Sequence, residues 1–439
     1  MKPPLALVID DNKHLRKAFS GLLKSLNFSV KTFEDPSEID NLNYNPYEHA
    51  SIVFLDINLR RGLNGVNVGG LIKQKHPYLP IVIITGRGTR EEAKQAIEND
   101  LDGWMEKPFG KNNLIKTVER LQKDGRFRIP LEIKIAGLGE IGLELLKRSR
   151  KNLKRSRKDY WTKKIHVWSK FHSERKYEEI KHVLGYMSEE IKLHKSLESF
   201  VEPNAHMTFI ASGARYTSGI TREKEWDEAS PRVSPILKGI AGSKSNELII
   251  TISNPIARFL ELGRQYGIHE SRQIGMGVTD SIRIRSSIAK KLGEDPEKIS
   301  VLVGGSHGNP AYLLSTTEVN GKKIENYKAI REDILESLEE KGKRVQNSAV
   351  HVRTNPEEVV EGCERIIDDL SRRRSQSTFS WGVWTGKYFE NRLVKIHKDL
   401  TISALSLPNL DSDEKEALES ARNIYIPSQI IPERYLKNA

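Results

Sequence analysis

The sequence predicts an α/β chain, with two helix-covered parallel sheets in succession. Three observations predict it. Short, continuous apolar runs alternate with helical stretches over the first 125 residues, among them Leu5-Ala-Leu-Val-Ile9, Ser51-Ile-Val-Phe-Leu55 and Ile81-Val-Ile-Ile84. Such runs are strands buried on both faces. The run 131–136 opens directly into Gly137-Leu-Gly139-Glu-Ile-Gly142 and then into a helical pattern. The chain of 439 residues, 37% hydrophobic and 30% charged, is long enough for two or three domains with their own cores.

In the first segment every strand ends in a polar group. The first run ends in Asp10-Asp11, the second in Asp56, the third in Thr85-Gly86, and Trp104-Met-Glu-Lys107-Pro108 closes a fourth. Helical stretches such as Leu15 to Leu26 and Arg90 to Glu98 lie between them. Parallel sheets gather reactive groups at their carboxyl edge. Three carboxylates there repel one another unless a cation joins them, and a set made only of oxygen ligands suits Mg²⁺. Lys107 and Thr85 add a positive charge and a hydroxyl suited to a phosphoryl group.

These residues, in this order, resemble the receiver domain of bacterial-type response regulators, a flavodoxin-like fold, over residues 1–125. The resemblance implies that Asp56 accepts a phosphoryl group from a sensor histidine kinase or phosphotransfer protein. It implies that Asp10, Asp11 and Asp56 hold Mg²⁺ with the Asn58 carbonyl. Thr85 and Lys107 then read the phosphorylated state, and Trp104 takes the switch aromatic position, normally Tyr or Phe.

The stretch Gln122 to Pro130 is polar, contains Gly and Pro, and reads as a domain boundary. Beyond it, G-x-G-x-x-G between a strand and a helix is the pattern of a dinucleotide turn. Gly137, Gly139 and Gly142 let backbone approach a pyrophosphate at a helix N-terminus. The next strand reads as Ile165 to Trp168. An NAD site places an acid at its end to bind the ribose hydroxyls. Here Ser169-Lys170 follow, a small hydroxyl and a cation that suit a 2′-phosphate, so NADP is expected over NAD.

Four further segments complete a resemblance to the lactate/malate dehydrogenase superfamily. They are Ile210 to Arg222, Ile252-Ser-Asn254-Pro255, Ile274 to Arg283, and Val303-Gly-Gly-Ser-His307-Gly-Asn. The resemblance implies a Rossmann domain over 131–255 and an α+β substrate domain over 256–430, with Leu407 to Tyr425 as the last strand and helix. It implies a homodimer and a small 2-oxo or 2-hydroxy acid as substrate. His307 is then the proton donor and acceptor, Asp280 its partner, Arg283 the carboxylate anchor and Arg222 the loop arginine that polarises the carbonyl. Asn254 bonds the substrate oxygen. Tyr216 stands where the family sets substrate choice with Gln for lactate or Arg for malate, and arginine is displaced to Arg215. Substrate identity therefore does not transfer.

No apolar run approaches the roughly 18 residues that span a bilayer, and the N-terminus meets acids too soon for a signal peptide. The only cysteine is Cys363, which leaves no disulfide or zinc site. A cytoplasmic location is expected. The net charge is +12, with nearly the whole excess in 147–176. That run reads as a solvated helix end and loop, or as a surface for nucleic acid, anionic lipid or an acidic partner. Without a helix-turn-helix or zinc pattern, nucleic acid is not an expected partner. Two readings remain open. One is a dehydrogenase gated by phosphorylation of Asp56. The other is a signalling protein whose dehydrogenase-like part senses dinucleotide or redox state, or binds a partner, with little turnover.

Overall fold

The structure, a computed structural model, describes residues 3–40, 45–48, 50–76, 79–86, 88–123, 131–151, 162–170, 191–214, 222–243, 245–307, 309–347, 356–371, 376–387, 389–397 and 400–423, with Leu42, Glu178 and Ile180. Two compact units emerge. The first holds residues 1–130 with 151–163 and 370–373, and the second holds 131–150, 164–369 and 374–439.

The first unit contains five parallel strands: β1 (Leu5–Ile9), β2 (Ser29–Phe33), β3 (Ala50–Asp56), β4 (Ile81–Thr85) and β5 (Gly103–Glu106). Their order is β2-β1-β3-β4-β5. Every residue of β3 and β4 is buried, and the two-residue period divides them between two cores. Leu7, Ile9, Val53, Leu55, Ile81 and Ile83 face one core. Ala6, Val8, Ile52, Phe54, Val82 and Ile84 face the other. Each such side chain removed from water contributes about 1.5–3 kcal/mol. Caps fix the helix starts. Asn12 accepts from the His14 and Leu15 amides ahead of the helix Lys13–Ser25, and Thr89 with Glu92 forms a capping box before Arg90–Glu98. Asp56 pairs with Ile84, and Thr85 with Glu106, so the strand ends meet along one edge.

The second unit is built on a nine-stranded sheet. Its strands are β6 (Leu131–Ala136), β7 (Thr162–Trp168), β8 (Ile191–Leu193), β9 (Met207–Ile210), β10 (Leu248–Thr251) and β11 (Gln273–Gly275), then β15 (Gln376–Trp384), β16 (Phe389–Ile396) and β17 (Ile402–Ala404). The order is β17-β16-β15-β11-β10-β9-β6-β7-β8. The six strands from β8 to β11 follow the doubly wound dinucleotide order 3-2-1-4-5-6. Pairs β7–β8, β6–β9, β9–β10 and β10–β11 are parallel. The strands β15 to β17 extend the same sheet antiparallel, joined through Gly275 and Gly382. A separate antiparallel sheet holds β12 (Ile299–Ser306), β13 (Asn309–Val319) and β14 (Lys322–Lys323). The closing helix is Ser412–Asn423, and the strand expected within 407–425 lies earlier, as β17. Its three residues pair with β16, whereas Leu407 is packed as a partly buried residue against the core of Leu313, Leu410 and Leu418.

The core of this unit contains a buried ion pair. Lys134 Nζ on β6 lies 3.3 and 3.2 Å from the two Glu247 carboxylate oxygens, with both side chains at 0% exposure. Burial pushes the Lys134 ammonium below its ordinary pKa and the Glu247 carboxyl above its own, while the attraction of each for the other opposes both shifts. Among the described residues no helix is long and apolar enough to cross a membrane.

Candidate functional site

At the carboxyl edge of the first sheet, Asp10, Asp11 and Asp56 place ligand oxygens within 4.8 Å of one another. Lys107 Nζ donates to Asp10 Oδ2 and Asp56 Oδ1, each at 2.9 Å. The Asn12 amide donates to Asp10 Oδ1 at 2.8 Å, and the Ile57 amide to Asp56 Oδ1 at 3.0 Å. Burial pushes the Asp56 carboxyl above its ordinary pKa. Lys107 opposes the rise and Asp10 adds to it. Burial alone would lower Lys107, but its bonds to Asp10 and Asp56 outweigh that and hold it raised. Three carboxylates against one ammonium leave excess negative charge among oxygen donors, which fits a hard divalent cation such as Mg²⁺.

The turn after Asp56 is tight. Gly65 donates to the Ile57 carbonyl at 2.7 Å, and a Cβ there would lie 2.0 Å from the Asp56 carbonyl oxygen. Thr85 is fully buried at the end of β4, and its carbonyl accepts from the Lys107 amide at 2.6 Å. Trp104 packs on the backbone at Gly88, where a Cβ would meet the indole at 2.1 Å. Asn58 is exposed and bridges to Asn64. All five expected positions, with Asn58, thus sit at or just beyond the strand ends, and Trp104 lies within β5, paired with Ile83.

In the second unit the glycine turn lies between β6 and the helix Glu140–Lys151. Gly137 has φ +100°, and a Cβ there would come within 2.8 Å of Ala211. A Cβ at Gly142 would come within 1.9 Å of the Gly137 carbonyl. Around Gly139, by contrast, nothing lies within 4 Å of a Cβ. The outer glycines close the turn, and the middle one faces open space at a helix N-terminus, which fits a pyrophosphate. Gly137 donates to the Trp168 carbonyl at 2.8 Å, bringing the end of β7, with half-buried Ser169 and exposed Lys170, beside that turn.

Asp280 stands in the first turn of the helix Val278–Leu292 and is 2% exposed. Ile284 and Ile288 of that helix pack against Ile299, Val301 and Val303 of β12, which delivers His307 just past the strand end. His307 Nδ1 lies 3.0 Å from Asp280 Oδ2. A carboxylate there accepts the Nδ1 proton, which leaves Nε2 as the atom available to substrate. Arg283, one turn on, places Nη1 4.0 Å from Asp280 Oδ1. Asn254 has a buried Oδ1 without a hydrogen-bond partner among the described residues, and Ile256, two residues on, lines the same crevice as His307. Tyr216 lies outside the described residues, as does the Arg222 side chain, although Arg222 begins the helix Arg222–Gly242. Most of the basic run 147–176 also lies outside them.

Three residues at this site have no counterpart in the sequence reading. Asn391, 1% exposed on β16, donates from Nδ2 to Asp280 Oδ2 at 3.5 Å. A Cβ at Gly277 would lie 2.2 Å from Asn391 Oδ1, so the amide is wedged against the start of the Asp280 helix. Ser306 presents a buried hydroxyl without a partner among the described residues, in the crevice beside His307. Tyr312 on β13 is held as the neutral phenol: burial pushes its pKa up and Asp280 adds to the rise. Only Ser306 carried a signal, its place next to the histidine.

Residues 6–119 match the family model of the response regulator receiver domain. Over 123 residues the chain is 31% identical to the nitrogen assimilation regulatory protein NtrX of Azorhizobium caulinodans, covering 28% of this chain and 27% of that protein. The chain thus spans little more than a quarter of the length of that regulator. Over 233 residues it is 27% identical to malate dehydrogenase of Chlorobium luteolum, covering 50% of this chain and 74% of that enzyme. Among solved structures, malate dehydrogenase of Cryptosporidium parvum superposes with TM-score 0.57 at 18% identity, covering 71% of this chain and all of the other. A lactate dehydrogenase from a Medee basin deep-sea metagenome library gives TM-score 0.55 at 18% identity, with the same coverage. The chain joins a receiver domain of the response regulator family to a unit with the lactate/malate dehydrogenase fold.

Proposed function

We propose that this chain is a two-component response regulator whose output is an NAD(P)-dependent 2-hydroxy acid dehydrogenase, gated by phosphorylation of Asp56. The observation that carries the enzymatic half is the contact of His307 Nδ1 with a buried Asp280 carboxylate at 3.0 Å. We assign residues 1–125 to the switch, 131–255 to dinucleotide binding and 256–430 to substrate.

In this mechanism His307 Nε2 takes the proton of the substrate hydroxyl, or returns it to the carbonyl oxygen in the reverse direction. Asp280 holds the ring orientation and stabilises the imidazolium that forms. Arg283 binds the carboxylate, Arg222 polarises the carbonyl and Asn254 bonds the substrate oxygen. A bound nicotinamide would supply or accept the hydride. Gly137, Gly139 and Gly142 with the helix N-terminus would hold its pyrophosphate, and Ser169 with Lys170 would meet a ribose 2′-phosphate. In the switch, Asp10, Asp11 and Asp56 would hold Mg²⁺ with the Asn58 carbonyl. An Asp56 oxygen attacks phosphorus while the bond to the donor breaks, and Lys107 and Thr85 meet the new phosphoryl oxygens. The donor is a sensor histidine kinase or phosphotransfer protein, and the chain acts as a homodimer. Coupling of the two parts requires receiver states that differ in their effect on the output by about 1–3 kcal/mol.

The switch is tested with acetyl phosphate and Mg²⁺. Wild-type protein acquires an acid-stable, base-labile label, and Asp56→Asn does not; equal labelling of the variant removes the assignment. Mg²⁺ omission abolishes the label. Output is then followed at the reduced-nicotinamide absorbance band against a panel of 2-oxo acids. Phosphorylation changes rate or apparent substrate constant by a few-fold up to about 100-fold.

Cofactor choice is tested separately. Ser169 and Lys170, rather than an acid, follow β7 in the sequence, so NADPH quenches intrinsic fluorescence at lower concentration than NADH. Tighter binding of NADH by about tenfold, equivalent to about 1.4 kcal/mol, overturns that preference. The absent ribose acid also favours a second reading, a dinucleotide sensor with little turnover. Dinucleotide binding without turnover of any 2-oxo acid would select it.

A further inference from the structure

In the mechanism above Arg283 receives the substrate carboxylate, yet that guanidinium already faces two internal acids. Its Nε lies 3.6 Å from Glu358 Oε2, and its Nη1 lies 4.0 Å from Asp280 Oδ1. Glu358 stands in the first turn of the helix Pro356–Ser371. Packing fixes it there: one turn on, a Cβ at Gly362 would come within 3.0 Å of Met276 Sδ and Val278 Cβ. The helix therefore lies directly against the start of the Asp280 helix.

A guanidinium grips a carboxylate through two adjacent N–H groups, along either its Nε–Nη2 or its Nη1–Nη2 edge. Here one nitrogen of each edge faces an internal carboxylate. Asp280, Glu358 and Arg283 together carry one net negative charge, so an incoming carboxylate meets repulsion before it meets a free edge. The Arg283 and Glu358 side chains are 38% and 31% exposed. A partly exposed pair of this kind is held weakly enough to be displaced.

We propose that Glu358 is a specificity-determining residue of the carboxylate subsite. It occupies the guanidinium that a 2-oxo acid needs and admits only ligands that gain enough elsewhere to displace it. A 2-oxo acid meets that condition because its oxo group reaches His307 while its carboxylate reaches Arg283. A simple monocarboxylate has only the second contact. The inference rests on Arg283 being the anchor assigned above.

The test uses the full chain saturated with its preferred dinucleotide and titrated calorimetrically with oxamate, an unreactive planar 2-oxo acid isostere. Glu358→Gln and Glu358→Ala bind oxamate on the order of five- to tenfold more tightly than wild type, with dinucleotide affinity unchanged. In Glu358→Gln/Arg283→Gln the gain disappears. Unchanged or weaker oxamate binding in both single variants overturns the proposal, as does a gain that survives loss of Arg283. The enzymatic reading is scored apart from this, by turnover of 2-oxo acids. Tightened oxamate binding without turnover keeps Glu358 in its role and removes the dehydrogenase assignment. Turnover with oxamate affinity insensitive to Glu358 does the reverse.

Discussion

Replacing His307 by Asn lowers turnover by about 10²–10⁴-fold, the usual cost of losing a general acid/base, and leaves dinucleotide affinity unchanged. The separation follows from where the parts stand. His307 is delivered by β12 and held by Asp280 at 3.0 Å, whereas the glycine turn lies between β6 and the helix Glu140–Lys151. Asn keeps a donor near Asp280 but has no group that exchanges a proton near neutral pH. Asp280→Asn is the companion variant. It leaves the ring without a carboxylate to stabilise its charged form, so it also loses rate, though the imidazole remains. Steady-state rates and dinucleotide titrations on the same preparations check both. A His307→Asn protein that retains full rate, or loses dinucleotide binding in parallel, overturns the assignment.

Lys134→Met destabilises the second unit by about 3–5 kcal/mol, because one buried charge is left without its partner. For a unit of this size that lowers the thermal midpoint by on the order of 10 °C. Glu247 then sits at 0% exposure without the ammonium, and the Val201 carbonyl loses the donor it has at 2.9 Å. The double variant Lys134→Met/Glu247→Leu recovers most of the loss, since it removes both charges and leaves apolar volume. Denaturant titration of wild type, both singles and the double closes the cycle. A double variant destabilised by the sum of the two single losses would show that the pair contributes nothing as a pair.

The legible parts of this chain were those where one short window carries both the structural and the chemical signal. The strands β1, β3 and β4 are continuous apolar runs because both faces are covered, and each runs straight into Asp10, Asp56 or Thr85. The glycine turn was readable for the same reason, since the run before it is buried and the turn itself needs Gly137 at φ +100°. Strand β2 gave no such run. It lies at the sheet edge, and its sequence Ser-Val-Lys-Thr-Phe is largely exposed. Strand β7 begins three residues before the apolar stretch Ile165–Trp168, with Thr162-Lys-Lys. At the candidate site the approach of Asp280 and His307 was readable from motif order. Asn391 and Glu358 were not, because tertiary packing alone carries β16 and the helix Pro356–Ser371 to the Asp280 helix. No local spacing encodes such an approach.

The join between β11 and β15 has a consequence for how the chain is made. Gly275 pairs with Gly382, about a hundred residues later, and among the described residues no nearer strand covers that edge of β11. As the polypeptide emerges from the ribosome, the parallel strands through β11 can assemble while one edge still presents unpaired amides and carbonyls. Such an edge recruits other strands, including those of neighbouring nascent chains. Closing it waits for a long loop and a non-local pairing, which are slow steps in folding. The Asp280 helix starts just after β11, the strand whose edge closes late. Chains that terminate before residue 376 carry that open edge permanently.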